Sequence, residues 1–69
     1  MNEAKNIEIE ITPVTRTEGE TIVNANTAVV IDRKANRAWS GEGATANEAA
    51  TDAVRNFVGD RRSREYLPQ

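Results

Sequence analysis

The sequence carries eleven carboxylate side chains, and two pairs of them are closely spaced: Glu8 with Glu10, and Glu18 with Glu20. On an extended strand Glu8 and Glu10 project to one face about 7 Å apart, a spacing at which paired carboxyls can share acid and base roles on a glycosidic bond. That chemistry also needs a cleft and a desolvated acid. A strand on a chain of 69 residues offers neither, and an enzyme is not expected. The chain has no cysteine and no histidine. Disulfides, thiolate and imidazole metal sites, and Cys/His or Ser/His nucleophile pairs are thereby removed. No metal or other cofactor is expected.

Two further groups invite a ligand. The glycines of Gly41-Glu42-Gly43-Ala44-Thr45 precede a helical pattern, where backbone amides can cradle a phosphate. The segment lacks the Gly-Lys-Ser/Thr ending of a phosphate loop and the third glycine of a dinucleotide fingerprint. Glu42 and Glu48 would also repel an anion, so a tight strand-to-helix turn is the expectation. The second group is Arg61, Arg62 and Arg64, which could clamp nucleic-acid phosphates with help from Arg33, Lys34 and Arg37.

The elements that must position these residues follow from periodicity. Ile7-Glu8-Ile9-Glu10-Ile11-Thr12 alternates with period two, placing the isoleucines on a core and the glutamates in water. Pro13 marks an edge strand or a strand end. Thr17-Glu18-Gly19-Glu20 reads as a turn. The run from Thr21 to Asp32 is rich in β-branched residues, with Val23, Ala25, Thr27, Val29 and Ile31 expected inward and Ile22, Asn24, Asn26, Ala28 and Val30 outward. Arg33-Lys34-Ala35-Asn36 is a polar turn, and Arg37 to Glu42 a third strand anchored by Trp39. Thr45-Ala46-Asn47-Glu48 has capping-box spacing. Ala49, Ala50, Ala53, Val54, Phe57 and Val58 then form one apolar stripe, and Gly59 is the natural left-handed residue beyond it. The stretch 60–67 could add a helical turn before Pro68.

The expected fold class is α+β: a three-stranded antiparallel sheet with one C-terminal helix packed on one face, in the order β-β-β-α. The whole of 1–69 reads as a single domain, with 1–5 and 61–69 as flexible ends. The net charge of −2 is uneven: residues 1–60 carry six basic and ten acidic side chains, followed by a basic tail. No apolar run approaches the roughly 20 residues needed to span a membrane, and the first residues lack a signal-peptide layout. A cytoplasmic setting is the expectation.

One helix covers one face of such a sheet, leaving the other open. A small domain gains from added burial, so that face, with Glu8, Glu10, Ile22, Asn24, Asn26 and Val30, is the expected protein interface, and a homodimer is one way to cover it. The stretch Gly41 to Ala49, with Ala53 following, resembles the C-terminal half of double-stranded-RNA-binding domains, where a strand ending in Gly-x-Gly leads to a capped, alanine-faced helix. The resemblance implies the strand-to-helix arrangement and, through the arginines, nucleic-acid binding. That family's groove-gripping lysines are replaced here by Ala46, Asn47 and Ala50. Gly43, Thr45, Glu48, Ala49 and Ala53 also resemble the spacing of HicB-type antitoxins, which implies binding to a protein partner. The plant ethylene-response DNA-binding domain shares the element order, with a sheet that reads DNA through arginine and tryptophan. The combined expectation is a non-enzymatic small regulator or inhibitor acting by protein contacts, of the antitoxin-like or phage and plasmid anti-defence type. A nucleic-acid-binding domain is the alternative.

Overall fold

A computed structural model describes residues 7–66 of the chain. Strands β1 (Ile7–Glu18), β2 (Thr21–Asp32) and β3 (Arg37–Gly43) are followed by helix α1 (Ala46–Val58) and a two-residue strand β4 (Arg64–Glu65). The sheet is antiparallel throughout in the order β1-β2-β3-β4, and α1 packs on one face. The architecture is thus α+β as expected, but with four strands rather than three among the described residues. Part of the arginine tail, expected as a helical turn, instead pairs with β3, setting Arg64 opposite Ala38. Of the ends expected to be flexible, residues 1–5 and 67–69 lie outside the described residues.

Registers follow from the turns. Gly19 at φ 63° begins the two-residue connection between Glu18 and Thr21. A positive φ at the first central position, where glycine is unpenalised, is the mark of a type II′ hairpin turn. Pairing then runs from Glu18 opposite Thr21 to Ile7 opposite Asp32. The second turn is held by Asp32, whose Oδ1 accepts from the Lys34 and Ala35 amides at 3.0 and 3.1 Å. This register puts Ile9 beside Val30, and Val30 beside Trp39.

Trp39 and Val30 belong to the core with Ala28, Ala49 and Ala53, so the face that they share is the one under the helix. The expected assignment for β2 is therefore reversed. Ile22, Asn24, Asn26, Ala28 and Val30 project to the helix side; Val23, Ala25, Thr27, Val29 and Ile31 project away from it. Both faces of this strand are partly apolar, which removes the alternation that would have fixed its orientation.

The helix comes unusually close because glycine and alanine meet across the interface. A Cβ on Gly41 would lie 2.1 Å from the Ala53 nitrogen, and one on Gly43 2.5 Å from the Glu48 Cβ. The Gly-x-Gly segment is thus filled by α1 itself. Thr45 caps α1, its Oγ1 accepting from the Glu48 amide at 3.1 Å and donating to the Glu48 carboxylate. At the other end Gly59 stays right-handed at φ −83°, and Asp60 takes the left-handed position at φ 51°. The Asp60 amide bonds to the Phe57 carbonyl and the Arg61 amide to that of Asn56, which is the Schellman pattern. An aspartate suits the position because its carboxylate also accepts from Trp39 Nε1 at 3.3 Å. Trp39 meets Phe57 edge to face as well, with ring centroids 4.8 Å apart.

Candidate functional site

The two outer edges of the sheet are finished differently. Because Glu18 and Thr21 close a two-residue hairpin, they are a hydrogen-bonded pair, and bonded pairs alternate from there. Even-numbered residues of β1 therefore bond to β2. The backbone groups of Ile7, Ile9, Ile11, Thr15 and Thr17 point away from the sheet. Pro13 falls in the same set, so its missing N–H faces outward and leaves the β1–β2 ladder whole, as edge prolines require.

On the β3 side the outward groups belong to Asn36, just before β3, and to Ala38, Ser40 and Glu42 of β3, and each of these residues has at least one of them met. The Asn36 carbonyl accepts from the Tyr66 amide at 2.8 Å, and Ala38 pairs with β4. Beyond β4 the helix takes over with two side chains. Asn56, buried, donates Nδ2 to the Ser40 carbonyl at 2.7 Å, and Asp52 accepts from the Glu42 amide at 3.1 Å. This edge is sealed without a further strand. The β1 edge carries no such cover among the described residues.

The side chains beside the open edge are apolar on the helix side. Ala49 and Ala53 sit over the sheet centre while Asp52 and Asn56 face the β3 edge, so Ala50 and Val54 occupy the flank toward β1. Ile9, Ile11 and Val54 remain 49%, 44% and 37% exposed. They form an apolar step running along the free backbone of β1. On the other side of β1 stand Glu8 and Glu10. Glu8 pairs with Arg33 at 2.8 Å, and the hydrogen bond to this carboxylate raises the Arg33 pKa above its ordinary value. Glu10 has no ion-pair partner among the described residues.

The structure scatters the residues expected at the site. Glu8 and Glu10 lie on the face away from the helix, as expected. Ile22 and Asn24 lie on the helix side but on an arm beyond it, since β3 ends at Gly43 opposite Asn26. Asn26 and Val30 are corrected from the open face to the covered one: Val30 is core, and Asn26 Nδ2 donates to the Ala44 carbonyl at 3.3 Å. The open face has less free apolar surface than expected, because Ile31 and Ala38 on it are buried. Their register neighbours there are Glu8 and Arg64, and Arg33 stacks over the Tyr66 ring at 5.6 Å.

The basic residues do not converge. Arg33 is held by Glu8 and Tyr66, and Arg37 donates to Ser63 Oγ. Arg62 lines a shallow hollow with Ser40, Gly41, Glu42 and Asp52, two of them acidic. Arg61 lies against Gly59, Arg64 falls opposite Ala38, and Lys34 is exposed on the turn. The step of Ile9, Ile11 and Val54 is not evident from sequence, where the isoleucines read as core. The available signal is Pro13, which marks β1 as an edge.

Comparison with protein-family models, with curated proteins and with solved structures found no match to this chain. Among the described residues there is no cluster of side chains suited to a metal ion, and no helix long and apolar enough to cross a membrane.

Proposed function

We propose that the chain is a non-enzymatic regulator or inhibitor that works by protein contacts, of the antitoxin-like or anti-defence class, and that its partner adds a strand to β1. One observation carries the reading: among the described residues the sheet is sealed along β3 and open along β1, where an apolar step accompanies the free backbone. Strand addition draws affinity from main-chain hydrogen bonds and specificity from alternate side chains. Exposed edges are otherwise a liability that proteins blunt, as Pro13 does for part of this one. Two placements favour protein over nucleic acid as the partner: the arginines face several directions, and Glu42 and Asp52 lie beside Arg62. The Glu8 and Glu10 pair lies on the sheet face away from the helix, and Glu8 is held in an ion pair by Arg33, which supports a non-catalytic role.

Panning a random 12-residue peptide library against the protein tests this. Selected peptides should shift the backbone amide resonances of Ile7, Ile9 and Ile11. They should lose affinity on Ile11→Arg or Val54→Arg and keep it on Ser40→Arg. Peptides that shift the opposite face, or survive both edge substitutions, would overturn the reading.

A further inference from the structure

We infer that the occupant of the β1 edge is an extended segment of a different protein in which apolar and basic residues alternate, and not a second copy of this chain; this rests on the strand-addition reading. The edge resists its own copy by charge and by Pro13 together. Antiparallel pairing of the Ile7–Ile11 half with itself, centred on Ile9, sets Glu8 against Glu10 of the second copy, and does so twice. A shift by one step to either side opposes a glutamate to its own counterpart. Like charges directly opposed across a ladder are destabilising. Registers displaced toward the hairpin turn escape the glutamates only by drawing Pro13 into the new ladder. Proline cannot donate there, and its ring occupies the space of the missing bond.

A foreign strand meets neither obstacle. Paired with the Ile7–Ile11 half, it exchanges hydrogen bonds at Ile7, Ile9 and Ile11, and its residues at those positions point to the helix side. There they meet Ile9, Ile11 and Val54, each more than a third exposed, so apolar side chains fit. The residues between them fall opposite Glu8 and Glu10. These are the non-hydrogen-bonded positions, where opposed side chains approach most closely. Glu10 is exposed with no ion-pair partner among the described residues, and Glu8 is only half-exposed beside Arg33. Lysine or arginine at these positions completes the charge pattern, and acidic residues conflict with it.

The probe is a capped seven-residue peptide alternating lysine and valine, compared by calorimetry at low salt with versions carrying glutamate or threonine in place of lysine. The lysine peptide should bind about tenfold more tightly than the glutamate peptide, and Glu10→Lys should reverse that order. N-methylation of the valine amides should abolish binding. A threonine peptide that binds as tightly as the lysine peptide overturns the basic pattern while leaving the strand-addition reading in place. Binding that survives N-methylation, or no binding by any of the three, overturns both. A wild-type dimer whose Ile7, Ile9 and Ile11 amides are protected from hydrogen exchange overturns the exclusion of a second copy.

Discussion

Gly41→Ala adds a single methyl group at the point where α1 rests on β3. The new Cβ would stand 2.1 Å from the Ala53 nitrogen and 2.7 Å from the Ala53 Cα and the Asp52 carbonyl carbon. Ordinary contact requires about 3.5 Å, so helix and sheet must part by about 1.4 Å. Every atom met is backbone, so no rotamer change can absorb the methyl. A gap of 0.5–1 Å already forfeits roughly a quarter to a half of a contact's attraction. The contacts at stake are those of Ala28, Ala49 and Ala53, all fully buried. Overpacking of this kind costs about 1–3 kcal/mol and occasionally more. The smaller unfolded-state entropy of alanine offsets about 0.4–1 kcal/mol. With separation of the whole interface added, a net loss of about 3 kcal/mol is expected. A 69-residue chain has about 3–10 kcal/mol in total at typical stability per residue. A urea titration followed by Trp39 fluorescence should therefore place the midpoint about 2–3 M lower, given a slope of about 1 kcal/mol/M for so small a protein. Ala53→Gly should give no rescue, because the obstructing atoms are main chain. A Gly41→Ala midpoint within about 0.5 M of the parent would refute the close-packing account.

Substitutions at two further positions test the ends of the helix–sheet contact. Asn56→Ala strands the Ser40 carbonyl and should cost about 1–3 kcal/mol by urea titration; it should also make the Gly41 and Glu42 region of the β3 edge exchange its amides faster. Asp60→Gly relieves a left-handed non-glycine residue but removes the acceptor of Trp39 Nε1. The two effects are each about 1 kcal/mol and opposed, so stability should hardly change. Asp60→Ala keeps the strain and loses the bond, and should be about 1 kcal/mol or more less stable than Asp60→Gly in the same assay.

The parts of the fold legible in the sequence are those with an unambiguous period or cap. Thr45 with Glu48 and the alanine stripe locate α1 to within a residue, and Ile7 to Thr12 alternate cleanly. β2 reads inverted because Ala28 and Val30 compete with Val29 and Ile31 as an inward set. The correct face is still encoded, in Gly19: a type II′ turn there sets Glu18 against Thr21 and, by counting back, Ile9 against Val30. β4 leaves no trace because two residues carry no period. Asp60 displaces Gly59 from the left-handed position through a hydrogen bond to Trp39, distant in sequence. The sealed edge is equally hidden, since Asp52 and Asn56 read simply as polar positions on an amphipathic helix. The candidate site shifts for the same reason. Its glutamates are visible, but its apolar half depends on how far α1 stops short of β1.

The β1–β2 hairpin outruns β3 and α1: past Pro13 opposite Asn26 it continues as a bare ribbon to the Gly19 turn. Isolated two-stranded ribbons are marginal in water, and every residue from Ile9 to Ile22 is exposed. This half can open while Trp39 and Phe57 remain packed. Thermal unfolding is then expected to have two stages, with strand circular dichroism declining before Trp39 emission shifts. A single transition temperature would not describe the molecule, and cleavage by a protease near Gly19 would report the ribbon's opening rather than global unfolding.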